Sequence, residues 1–201
     1  MKKGEQTQDF ILEKSAELFN LYGYNRTSLS DIMKATGLKK GGIYNHFKSK
    51  DDIAKASFDR AYERVIRRFR HKLDECDTSA QKLYSIVETF RSLNDNPVYA
   101  GGCPIYNTAM ESIDAYPEMR RKASDAVTSL YQYIVYKLEE GRKSGEFYAD
   151  IDSEEVATVI MSTLEGAMIL TRVNDNTEHL GRAVKFVNNY LKTQVIKPET
   201  V

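Results

Sequence analysis

The stretch 29–53, LSDIMKATGLKKGGIYNHFKSKDDI, decides the fold. Leu29, Ile32 and Met33 fall at i, i+3 and i+4, which gives a short first helix one apolar face. Gly37 stands where a tight turn wants positive φ, and Leu38 beside it can point back into a core. The helix that follows, around 40–47, carries Lys39, Lys40, Tyr44, Asn45 and His46, all able to donate hydrogen bonds to an anion. Ser49-Lys50-Asp51-Asp52 then has the form of a capping box, with Asp52 in place of Glu or Gln. A capped helix start beside a basic helix offers free backbone N–H groups to a phosphate. The pattern is that of a helix-turn-helix able to grip DNA.

Upstream, Ile11, Ser15, Leu18 and Tyr22 with Leu12, Ala16 and Phe19 form one wide apolar stripe that ends at Gly23. That is the supporting helix a three-helix domain needs to bury a small core. With Thr27, Ile32, Gly37, Tyr44-Asn45-His46-Phe47 and Lys50 at these spacings, the region resembles the TetR family of bacterial one-component transcription regulators. Two positions depart from the family pattern. Lys39 stands where a Ser or Thr cap is usual, and Gly41-Gly42 puts a second glycine where Thr or Ala is common. Each interior Gly costs roughly 1 kcal/mol of helix propensity relative to Ala.

Composition bounds the rest. The chain has 201 residues, 41% of them hydrophobic, and no Trp, so it can bury a core. Net charge is zero, yet residues 1–72 hold 16 Lys/Arg against 9 Asp/Glu, and residues 73–201 hold 13 against 20. A basic end and an acidic remainder suit a DNA-facing head on a body held away from phosphate. The basic run Arg64–Lys72 reads as the solvated face of a connecting helix. No apolar run is seen to approach ~18 residues and MKKGEQTQDF lacks a signal-like core, so a cytoplasmic protein with no membrane span is expected. Cys76 and Cys103 make no disulfide framework, in keeping with a reducing compartment.

Beyond Ser49 the periodicity is helical almost throughout: about 50–72, 79–93, 104–112, 117–144, 152–173 and 178–194, with 146–151 as a connector. Asn94-Asp95-Asn96-Pro97, Tyr116-Pro117 and Asn174-Asp175-Asn176-Thr177 supply the breaks. The class is all-α: a three-helix head over 6–66 joined by a long helix to a larger helical sensing and dimerisation domain over 67–197. Val156, Val159, Ile160, Thr163, Ala167 and Leu170, with Val184, Val187, Tyr190 and Leu191, make the last two helices an amphipathic hairpin. Small residues at Ser162, Gly166 and Ala167 let another helix pack closely. The resemblance implies that this hairpin pairs with its two-fold mate, so a homodimer reads a palindromic operator.

The resemblance also implies a ligand cavity between about 79 and 172. Its candidate lining is Phe90, Tyr99, Tyr106, Met110, Tyr131, Met161, Glu165, Met168 and Arg172, suited to a small apolar or aromatic effector. Glu165 and Arg172 stand out because a charge on an apolar helix usually needs a partner; seven apart, they share a face. Gly101-Gly102-Cys103, with Asn107 and Glu111, matches a signature of one branch of the family. Cys103 there caps a helix start, where the dipole favours a thiolate, which makes it a redox candidate. Cys76 is expected to be inert.

Within the head, Lys40 and Asn45 are the candidates for base edges, with Gly41 and Gly42 allowing approach. Thr27, Tyr44, His46 and the Lys50 helix start are assigned to phosphates, Lys39 is a further DNA-binding candidate, and a Lys50→Ala change is expected to weaken binding to all sequences alike. The three His form no catalytic or zinc-spaced set, and no phosphate loop appears, so no enzyme, cofactor or metal is expected. The reading is a ligand-responsive repressor. The alternative is a DNA-binding architectural protein with no small-molecule input.

Overall fold

The computed structural model describes residues 3–114 and 116–198. Helices account for nearly all of its regular structure, and the one β feature among the described residues is an isolated bridge between Phe147 and Ile196. Two compact units emerge: residues up to Ile66 together with Pro97–Val127, and Arg67–Asn96 together with the chain from Thr128 on.

In the first unit, α1 (Lys3–Arg26) supports α2 (Leu29–Thr36) and α3 (Lys40–Tyr44). Helix α2 begins with a capping box: Ser28 accepts from the Asp31 amide, and the Asp31 carboxylate accepts from the Ser28 amide. Gly37 closes it in the left-handed conformation, at φ 69°. Ile11, Ile32, Ile43, Phe47 and Ile53 form the buried core, with Leu12, Leu18, Phe19, Leu29, Met33 and Leu38 packed around them. Tyr22 leaves the expected stripe and is 55% exposed, because the chain breaks at Gly23 just beyond it. The start of α4 (Lys50–Leu73) is held by Ser49, whose hydroxyl accepts from the Asp52 amide at 3.1 Å. Ile53, Ala54, Ser57, Phe58, Ala61 and Val65 of α4 turn inward at helical spacing.

The unit also takes in α6 (Pro104–Ser112) and the first part of α7 (Pro117–Ser144). The leading segment of this unit ends at Ile66, and 97–127 joins it from later in the chain. Helix α6 packs on α1, and the polar contacts described below tie it there.

In the second unit, α5 (Ser79–Asp95) packs against α8 (Ser153–Asn174) and α9 (Glu178–Tyr190). Thr78 and Gln81 form a capping box for α5, and Asp152 caps α8 by accepting from the Glu154 and Glu155 amides. Leu83, Ile86, Val87 and Phe90 of α5 are buried, as are Ile160 and Leu164 of α8 and Leu180, Val184 and Val187 of α9. The last helix ends earlier than its periodicity implies, loosening into a π turn at Leu191–Val195. The chain there lies against the 146–148 connector: the Tyr148 amide donates to the Val195 carbonyl and the Lys197 amide to the Glu146 carbonyl. Helix α8 is long and apolar enough to cross a membrane by composition, with a mean hydropathy of 1.4, but half of that segment is buried inside the fold.

Candidate nucleic-acid interface

Helix α3 is short because little holds its start. Lys39 occupies the N-cap and makes no side-chain cap bond. Ile43 faces the core, and the opposite face presents Lys40, Gly41, Tyr44 and Asn45 to solvent, with Gly42 and His46 half-buried. Lys40 Nζ lies 5.7 Å from the centre of the Tyr44 ring, a spacing at which the cation and ring attract. Lys39, exposed before the helix, and Lys48, exposed after Phe47, extend the positive surface. Lys48 was not among the residues assigned from sequence, although its place beside the aromatic helix was a usable signal.

Two of the assigned residues turn inward. Thr27 is 1% exposed, and its hydroxyl donates to the Gly23 carbonyl at 2.7 Å and towards that of Leu18 at 3.3 Å. A hydroxyl so placed ties off the end of α1 and is not presented to a phosphate. Lys50 Nζ donates to the Tyr24 and Thr27 carbonyls at 2.8 and 2.9 Å and sits 4.0 Å over the Tyr24 ring. The ammonium thus answers the exposed carbonyls at the end of α1. The Lys50 side chain is a brace inside the head, so Lys50→Ala is expected to destabilise the head as well as any DNA contact. The Tyr24 hydroxyl bonds to Asp51, and burial together with that bond raises the Tyr24 pKa.

The same C-terminal stretch of α1 meets α6 in a dense polar joint. The Asn20 side chain donates to the carbonyls of Ala100 and Gly102 at 2.8 and 2.9 Å. The Asn107 side chain donates to Asn20 Oδ1 at 2.9 Å and to the Gly101 carbonyl at 2.8 Å. Four residues further along α6, the Glu111 carboxylate accepts from the Tyr24 and Asn25 amides at 2.8 and 3.1 Å. Two glycines make this approach possible. A Cβ on Gly101 (φ 101°) would stand 2.6 Å from the Asn20 carbonyl oxygen, and one on Gly23 (φ 81°) would stand 2.9 Å from the Glu111 carboxylate. The Tyr116 hydroxyl bonds to Asn25, and its ring meets Tyr24 edge-on at 4.6 Å.

Glu13 organises a second cluster in the same unit. Its carboxylate takes Arg60 at 2.8 Å, Arg64 at 2.7 Å and the Tyr99 hydroxyl at 3.2 Å. Burial alone would raise the Glu13 pKa, but the Arg60 bond and the charges of Arg64 and Arg60 bring it below the ordinary value. Burial, followed by the nearby Glu13 charge, pushes Tyr99 up to about 12.

The nine residues assigned to a ligand are divided between the two units. Tyr99, Tyr106 and Met110 belong to the first unit, and Phe90, Tyr131, Met161, Glu165, Met168 and Arg172 to the second. Tyr99 is committed to Glu13, and Met110 is 65% exposed on α6. The Tyr131 hydroxyl donates to the Glu154 carbonyl. Phe90, Met161 and Met168 are buried in the second unit, as is Glu165, 6% exposed. Arg172 is exposed, so seven-residue spacing does not give it the same surroundings as Glu165. Glu165 Oε1 has no hydrogen-bond partner among the described residues, and burial pushes its pKa up to about 8. Cys103 occupies the N-cap of α6 half-buried, and its thiol makes no cap bond there.

These features have clear counterparts among known proteins. Residues 11–57 match the family of bacterial regulatory proteins described as the tetR family, and residues 79–187 match its tetracyclin repressor-like C-terminal domain. The transcriptional regulator TtgR of Pseudomonas putida is 24% identical over 98% of this chain and 95% of its own. The fatty acid metabolism regulator protein of Bacillus subtilis is 26% identical over 82% of this chain and 83% of its own. A TetR transcriptional regulator from Chloroflexus aurantiacus superposes with a TM-score of 0.95 at 37% identity, covering 98% of this chain and all of that one. The match takes in the helix-turn-helix, the joint motif and the helical body alike, and the chain belongs to the TetR family of DNA-binding transcriptional regulators.

Proposed function

We propose that the chain is a dimeric repressor that holds a palindromic operator and lets it go when a small effector binds. The exposed Lys40–Asn45 face of α3 carries this reading, because it is a polar, basic surface built on a buried helix-turn-helix core. Lys40 and Asn45 contact base edges. Lys39, Tyr44, His46 and Lys48 hold phosphates, and Gly41 and Gly42 keep the helix low enough to approach. A Cβ at Gly41 would meet nothing in the free protein, so its openness is available to DNA.

Dimerisation uses α8. Ser162, Gly166, Ile169, Leu170 and Val173 recur at i, i+4, i+7, i+8 and i+11 and are all exposed, with Phe186 of α9 58% exposed as well. A stripe of two small and three large apolar residues suits close packing of a second copy. The effector acts on the second unit, where Phe90, Met161 and Met168 offer apolar walls and Glu165 a single polar group. Helices α4 and α7 run unbroken from one unit into the other, so a shift in the body reaches the head along them. Cys103 offers a second input: it begins α6 within the joint, and an adduct there would press on the Asn20–Asn107 bonds. A DNA-binding repressor of this kind works in the cytoplasm.

Selection from a random duplex pool at physiological salt tests the reading. Enrichment of one palindrome, lost in Lys40→Ala and Asn45→Ala variants, is the expected result. Binding without enrichment, weakening only as salt rises, would instead mark an architectural protein.

A further inference from the structure

Between α1, α4, α6 and the start of α7, the first unit holds a partly open cavity of about 40 Å³. Ala54, Phe58, Ala61 and Met119 give it apolar walls. Ser57 also lines it, 1% exposed, and the Ser57 hydroxyl has no hydrogen-bond partner among the described residues. A hydroxyl buried without a partner carries a desolvation cost, which an occupant with one polar atom would relieve. A single water needs only about 10–15 Å³, so the space exceeds that need. Met119, with three rotatable bonds, can yield to something a little larger. Asn20 and Glu111 form another part of the wall, and these two side chains hold α1 to α6.

We propose that this cavity is an effector site for a small alcohol or carbonyl compound of two to four carbons, hydrogen-bonded to Ser57 and acting on the α1–α6 joint. It is separate from the effector site argued for the second unit, and its effect on DNA rests on the repressor reading. Its occupant would spread α1 from α6 and so favour the conformation with weaker DNA affinity. A ligand can shift that balance only by its difference in affinity for the two conformations.

The test is a titration of the full chain, with methyl-labelled methionine, by 1-propanol. A saturable shift of the Met119 methyl is expected, with Met161 and Met168 unmoved. Ser57→Ala should weaken that binding about fivefold, a loss within the range for one hydrogen bond. Ala61→Leu, which fills the cavity, should abolish it, and Ser57→Ala keeps the test decisive if that variant does not fold. At saturation, affinity for the selected palindrome should fall severalfold. A Met119 response that never saturates, or an equal affinity in Ser57→Ala, overturns the site. Saturation without any change in DNA affinity overturns its role as an effector site. Saturable shifts at Met161 and Met168 alone would move the ligand to the second unit, overturning this site and leaving the repressor reading intact. Failure to select a palindrome would strike the repressor reading, while the Met119 titration still decides whether the cavity binds.

Discussion

The α1–α6 joint and the α8–α9 hairpin are both helix-on-helix contacts, yet opposite forces hold them. At the joint, Asn20, Asn107 and Glu111 place directional hydrogen bonds on backbone groups that two glycines bring within reach. The hairpin is held by Ile160, Leu164, Leu180, Val184 and Val187, and leaves an apolar stripe facing outward. Directional bonds fix one geometry and fail sharply when disturbed. Apolar packing is tolerant of detail and well suited to receiving a second copy. The joint is built to hold the head at one angle to α6, and the hairpin to associate.

The contrast can be broken at either end. The largest effect should come from Gly101→Ala, which forces a side chain into φ 101° and a Cβ to 2.6 Å from the Asn20 carbonyl oxygen. Together these should cost about 3 kcal/mol or more, read as a large fall in Tm. At the hairpin, Phe186→Glu should leave the monomer folded and weaken dimerisation roughly 100-fold, as expected for loss of a buried aromatic anchor. Sedimentation as an undiminished dimer would remove Phe186 from the interface.

Glu165 sharpens the comparison, because it is the polar exception in the apolar hairpin. Its folded pKa, about 8, lies above the ordinary 4.5, so between those values the folded chain keeps a proton that the unfolded chain has released. Stability must therefore fall as pH rises through that window. Between pH 5 and pH 7 the loss should be on the order of 2–3 kcal/mol, and Glu165→Gln should remove it. A wild-type profile that runs parallel to the variant's would contradict the burial. Smallest of the four, Asn107→Ala should cost about 2 kcal/mol by leaving Asn20 Oδ1 and the Gly101 carbonyl without their donor, measured by denaturant unfolding.

Most helix boundaries could be read in the sequence because they are local. Thr78, Asp152, Pro104 and Pro117 mark starts through their own chemistry, and α6 and α7 end where the periodicity runs out. The joint was not read, since Asn107 reaches a partner 87 residues away. One signal was available: Cys103, Asn107 and Glu111 stand at i, i+4 and i+8 and share a face of α6. The internal bonds of the Thr27 hydroxyl and the Lys50 ammonium were not legible for another reason. A hydroxyl or ammonium that bonds a helix carbonyl has the same chemistry as one that bonds a phosphate, and only the fold separates the two. The ligand lining is not legible in the sequence, because aromatic and Met residues at helical spacing look alike whether they line a cavity or fill a core.

The central claim is that two copies present α3 together to one face of DNA. Hydroxyl-radical footprinting of the full chain on its selected duplex tests it most directly. The account predicts two protected patches on one face of the helix, centred about 10–10.5 base pairs apart or a multiple of that, with two protomers per duplex. A single patch with one protomer, or uniform protection along the duplex, would contradict it.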